Sequence, residues 1–112
     1  MVTKSYIPDR GDLVWIDFDP VLGHEQGGRR PALVVSPEKY NKLSRLALVC
    51  PLTKKVKNYP FEVWVEAGKF SGVILADHLK STDWKTRKAE FINKVDMSVI
   101  DEVRSKIETM IF

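Results

Sequence analysis

Turn-forming residues cut this chain into short pieces. All six prolines and all six glycines fall before residue 73, at Pro8, Gly11, Pro20, Gly23, Gly27, Gly28, Pro31, Pro37, Pro51, Pro60, Gly68 and Gly72. Turn signals at such close intervals favour brief strands joined by turns. The segments between the breaks carry the β-branched and aromatic residues of strands. Strands are expected at Leu13 to Phe18, Ala32 to Ser36, Arg45 to Thr53, Phe61 to Val65 and Gly72 to Ala76, with two shorter ones at Lys80 to Trp84 and Lys88 to Ile92. Pro51 marks an edge or a bulge near the end of the third. Ser36-Pro37-Glu38 reads as a helix start, with Ser36 as N-cap and Pro37 at the first position, good for a short helix after the second strand. Asp96 can cap a second helix, where Val99, Ile100, Val103, Ile107, Met110 and Ile111 recur at helical spacing. The expected fold is mainly β with a C-terminal α-helix: a small, strongly bent antiparallel sheet or partly open barrel with the helix packed on it.

With 112 residues, 44% of them hydrophobic and no shift in composition along the chain, residues 1–112 are expected to form one domain. The single Cys50 lies in an apolar run and reads as a buried thiol in a reducing compartment. No apolar stretch approaches a membrane span and the N-terminus lacks a signal-peptide core, so a cytoplasmic location and no membrane partner are expected. The net charge of +3 is unevenly spread: eight basic residues and one acid, Glu38, fall between Arg29 and Lys57. That window is +7 and the remainder of the chain −4, a pattern suited to a phosphate polymer.

The chemistry gathers between Gly23 and Pro37. There His24, Glu25, Gln26, Arg29 and Arg30 lie on a glycine-rich loop that runs into an apolar strand. A carboxylate beside guanidinium groups can act as a general base, while arginine holds phosphate oxygens and stabilises charge developing on them. Thr53, at the end of a neighbouring strand, can donate a hydrogen bond to the same phosphate. This set suits RNA cleavage, with Glu25 taking the 2′-hydroxyl proton, Arg30 holding the non-bridging oxygens and Thr53 orienting the phosphate. Phe18, at a strand end before the loop, is a candidate for stacking on an unpaired base. His24-Glu25 and Asp77-His78 are the histidine–carboxylate neighbours. Adjacent strand residues point to opposite faces, so no metal site is expected, and no nucleotide-binding glycine motif is present.

Several blocks in order resemble the MazF/PemK-type toxins, the mRNA interferases of bacterial type II toxin–antitoxin pairs. They are residues 8–20 (Pro8-Asp9-Arg10-Gly11-Asp12 through Asp19-Pro20), Gly23 to Pro37, Leu52-Thr53, Tyr59 to Val63, Gly72 to Asp77 and Lys80 to Trp84. The resemblance implies an SH3-like barrel, a homodimer, no cofactor, and metal-independent, sequence-specific cleavage of single-stranded mRNA that blocks translation. It places catalysis on Arg30 and Thr53, with Glu25 contributing, and brings Phe18, Gln26, Arg29, Lys54, Lys55, Asp77 and Lys80 near the RNA. It also implies a cognate antitoxin whose acidic disordered tail competes with RNA for the groove. Arginine is a poor acid, so this set leaves the proton for the departing 5′ oxygen unassigned.

Two other readings compete. A gyrase-poisoning toxin of the CcdB type shares the fold, but those toxins carry a tryptophan close to the C-terminus and this chain ends Thr109-Met110-Ile111-Phe112. A non-catalytic RNA-binding barrel would keep the basic face without needing Glu25, Arg30 and Thr53 together.

Overall fold

The computed structural model describes residues 6–18 and 28–112. Seven strands and two helices follow one another as β1 (Asp12–Asp17), β2 (Arg29–Val34), α1 (Glu38–Ser44), β3 (Ala47–Thr53), β4 (Glu62–Ala67), β5 (Phe70–Leu75), β6 (Lys80–Thr82), β7 (Glu90–Lys94) and α2 (Met97–Ile111). All pairings are antiparallel, in the order β4-β5-β3-β2-β1-β7, with β6 added to β3. The expected bent sheet with a C-terminal helix is present.

The bend has two sources. Pro51 is the last residue of β3 to pair with β2, opposite Ala32; beyond it, Leu52 and Thr53 leave β2 and pair with Ile74 and Val73 of β5. Proline cannot extend a ladder from its nitrogen, so the strand changes partner there. On the other side of β3, the β5 pairing stops at Ile74 and β6 resumes it at Lys80 opposite Val49. Three extra residues are absorbed by a 3-10 turn at Ala76–His78.

β2 is buried on both faces, which its unbroken apolar run foretold. Leu33 joins a core with Leu13, Cys50, Leu52, Val63, Ile74 and Ala76, which α2 covers with Ile100 and Val103. Ala32 and Val34 join a second core with Val14, Ile16, Phe18, Ala47 and Val49. The β4–β5 hairpin turns at Gly68 (φ +60°) and comes against Asn93 of β7, so the barrel nearly closes.

Some local expectations shift. Ser36 does not cap α1: its hydroxyl donates to Asn41 Oδ1 and accepts from the Leu48 amide at 2.9 Å, tying helix to strand instead. α1 therefore starts after Pro37 and runs seven residues, ending at Arg45 in the left-handed region (φ 63°). Asp96 does cap α2, accepting from the Ser98 amide at 3.1 Å. The strand expected from Ala32 begins earlier, so Arg29, Arg30 and Pro31 belong to β2 and pair with Asp17, Ile16 and Trp15.

Candidate active site

Register brings the central pair together. The β2–β3 ladder runs Val34 with Val49, Leu33 with Cys50 and Ala32 with Pro51, then stops. Continued by two residues, the same register would set Arg30 opposite Thr53. Strand alternation puts both on the face that carries Ala32, Val34, Val49 and Ala47. The proline that ends the ladder thus opens a cleft where the two strands part. This cleft, of about 530 Å³, is lined by Arg30, Thr53, Lys54, Lys55, Lys57, Tyr59, Glu62, Leu75, Asp77 and His78.

Each wall has a local cause. The Thr53 hydroxyl oxygen accepts from the Lys55 amide at 3.2 Å, which leaves its O–H as a donor toward the cleft. Behind Thr53, β5 approaches so closely that a Cβ on Gly72 would lie 2.5 Å from the Thr53 carbonyl oxygen, so only glycine fits. The Glu62 carboxylate accepts from the Lys57 amide at 3.1 and 3.2 Å and from the Tyr59 amide at 3.3 Å, which gathers the basic segment after β3 over the cleft. Asp77 and His78 enter through the 3-10 turn between β5 and β6. Four cationic side chains face two carboxylates there, a balance that favours a phosphodiester. Cys50 stays out of the chemistry: burial, and then the Asp77 charge, push its thiol up to about 12.

Of the residues expected from the sequence, Arg30, Thr53, Lys54, Lys55 and Asp77 meet in this cleft. Arg29 does not, because the next residue along a strand faces the other way. Its guanidinium donates to the Lys88 carbonyl at 2.9 Å and pairs with Glu90 at 3.2 Å and Asp17 at 3.4 Å. Phe18 is 3% exposed and lies in the second core, with the Lys80 ammonium 5.5 Å from its ring centre. A buried ring has no face to offer a base, so the stacking role expected of Phe18 gives way to packing, and Lys80 serves to cover it. Glu25 and Gln26, like His24, lie outside the described residues.

The basic window also divides. Arg30 and Lys54 to Lys57 serve the cleft, whereas Lys42 and Arg45 line a separate hollow with Trp84 and Lys85. Sequence reasoning missed Glu62, Tyr59 and His78. Asp77 and His78 are expected from the sequence as strand neighbours on opposite faces, but they fall in a 3-10 turn. Tyr59 and Glu62 stand in the block Tyr59 to Val63 that resembles the family, but nothing local gives Glu62 its role, which depends on the path of a loop.

Comparison with known proteins bears on this arrangement. Residues 9–111 match the family described as PemK-like, MazF-like toxin of type II toxin–antitoxin system. The chain is 43% identical over 110 residues to the endoribonuclease toxin MazF of Escherichia coli K12, covering 98% of this chain and 99% of that one. Among solved structures, it is similar to the crystal structure of MazF from Deinococcus radiodurans, with 50% identity, a TM-score of 0.91, and 95% of this chain and 97% of that one covered. It is also similar to a MazE–MazF crystal structure from the same organism, with a TM-score of 0.84, 50% identity, and 95% and 96% covered. Fold and sequence agree that this chain belongs to the PemK-like, MazF-like toxin family.

Proposed function

We propose that this protein is an endoribonuclease toxin that cuts single-stranded RNA by attack of a 2′-hydroxyl on the adjacent phosphorus, without a metal ion. The observation that carries this reading is the convergence of Arg30 and Thr53 where the β2–β3 ladder parts, inside a cleft lined by three lysines. A guanidinium offers two parallel donors to non-bridging phosphate oxygens and strengthens its hold as charge grows on them. Thr53 contributes a third donor from the opposite strand. The lysines track the backbone on either side of the scissile phosphate. Glu25 is assigned the 2′-hydroxyl proton, and Gln26 contact with the RNA. Products are a 2′,3′-cyclic phosphate and a 5′-hydroxyl.

The relatives support the biological setting. Endoribonuclease toxins similar to this chain include MazF, PemK and ChpB of Escherichia coli, and the Deinococcus radiodurans MazF was solved in complex with MazE. We assign this chain the same kind of partner, an antitoxin whose acidic disordered tail occupies the basic cleft. A homodimer acting on mRNA in the cytoplasm, as one domain over residues 1–112, completes the proposal. Among the described residues no helix is long and apolar enough to cross a membrane.

Cleavage of a single-stranded RNA in excess chelator tests the chemistry. The protein is expected to cut it and spare the same strand with a 2′-deoxy residue at the cut site. Arg30→Ala should lower the rate by at least about 10²-fold while leaving the melting temperature in place. Equal cutting of the deoxy strand, or full activity of the variant, would overturn the mechanism.

A further inference from the structure

We infer that His78 is a further catalytic residue of this site: the general acid that protonates the departing 5′ oxygen. The proposal rests on the 2′-hydroxyl mechanism above and supplies the group it lacks. Guanidinium and alkylammonium groups hold their protons tightly near neutral pH, and imidazole is the side chain suited to giving one up there. His78 is the only histidine among the described residues of the cleft.

Placement supports the role. The three residues inserted between the β5 and β6 pairings carry His78 to the edge of β3, on the opposite side of that strand from β2 and Arg30. Taken as a sphere, the cleft is about 10 Å across, the scale of a ligand site. A phosphate held by Arg30 and Thr53 would lie in the same cleft that His78 lines. The side chain is half-buried, and among the described residues no hydrogen bond or ion pair engages its imidazole, so both ring nitrogens remain for substrate and solvent.

The surroundings are mixed in sign. Arg30 faces the cleft from β2, Lys54, Lys55, Lys57 and Tyr59 from the segment after β3, Glu62 from β4, and Asp77 from the same turn. α2 contributes apolar Val103 and Ile107 beneath the turn, and its Lys106 ammonium is held by the Pro60 carbonyl.

In the proposed step the O2′–P bond forms as the 2′-hydroxyl proton passes to the base, the role given to Glu25. The P–O5′ bond breaks, its electron pair goes to O5′, and that oxygen takes the proton of the His78 imidazolium. Imidazole then regains a proton from water, leaving the cyclic phosphate and the 5′-hydroxyl.

The test compares His78→Gln with the unmodified protein on two RNAs, one natural and one with sulfur replacing the bridging 5′ oxygen. A thiolate leaves without a proton. The variant is expected to lose about 10² to 10⁴-fold in kcat on the oxygen substrate, to cut the sulfur substrate within a few-fold of the unmodified protein, and to melt at the same temperature. The unmodified protein is expected to lose kcat on the natural RNA as pH rises, and the variant to show no such fall. Equal losses on both substrates, a loss in KM alone, or no loss would each overturn the assignment to His78. Failure of the unmodified protein to yield a 2′,3′-cyclic end would instead overturn the mechanism on which it rests.

Discussion

Gly72→Ala asks how tightly the position of Thr53 depends on bare backbone behind it. The added Cβ would fall 2.5 Å from the Thr53 carbonyl oxygen, 3.2 Å from the Thr53 carbonyl carbon and 3.2 Å from Leu52 Cδ2. To reach ordinary contact at 3.4 Å, β5 must retreat from β3 by about 0.9 Å, and even the tightest tolerated 3.0 Å needs about 0.5 Å. Nothing flexible can absorb this, because the atom struck is backbone. The retreat stretches the short ladder that joins Leu52 and Thr53 to Ile74 and Val73, at a cost of about 1–3 kcal/mol. For a domain of this size that is a fall in melting temperature of roughly 4–12 °C. The effect on catalysis should be larger, since a displacement near 1 Å in a positioned donor can cost about 10²-fold. Gly68→Ala is the control: it imposes strain at φ +60° and meets the Asn93 side chain at the hairpin tip, six residues along β4 from Glu62 and about 20 Å away. It should lower stability yet leave kcat alone. Thermal melts and single-turnover cleavage of one RNA read both effects; a Gly72→Ala protein with unchanged melting and unchanged kcat would refute the close-packing account of Thr53.

Two further outcomes follow from the same structure. Glu62→Ala frees the Lys57 and Tyr59 amides, so the basic segment must be ordered by RNA itself; KM should rise about five- to tenfold, the equivalent of roughly 1 kcal/mol, with little change in kcat, and an unchanged KM would refute the ordering role. Four groups away from the cleft give stability a dependence on pH. The hydrogen bond to Asp12, opposed by burial, raises Lys94 above its ordinary 10.5, and burial together with the Asp12 hydrogen bond raises Tyr6 above 10.0. Their contribution is complete below about pH 10 and is lost as pH rises through the folded values. Asp9 moves the other way: burial opposes the shift, but amides of Glu38 and Arg10 lower it below 3.8, and Ser98 lowers Asp96 likewise. That contribution is complete above about pH 4 and is lost on acidification. Urea midpoints should be level from about pH 5 to pH 9 and fall beyond each end, with the alkaline fall reduced in Lys94→Met; a midpoint that rises above pH 10.5 would contradict the Lys94 and Tyr6 shifts.

The sequence by itself determined the elements and much of the chemistry. Proline and glycine spacing set short strands, the unbroken run Ala32 to Val34 announced a strand buried on two faces, and Val99, Ile100, Val103 and Ile107 marked the helical stripe that covers one core. These signals are local, because turn conformation and hydrophobic period depend on neighbouring residues alone. Arg30 and Thr53 were legible as residue types and through family resemblance, but not as neighbours. Tertiary structure decided that they meet, through a register that stops at Pro51 and opens a cleft. It also separated Arg29 from Arg30, buried Phe18 beneath Lys80, and turned Asp77 and His78 into the cleft by inserting a 3-10 turn beside β3. Each of these outcomes depends on which strand edge pairs with which, over separations of twenty to seventy residues. No local pattern records that choice; it is made by burying two cores at once.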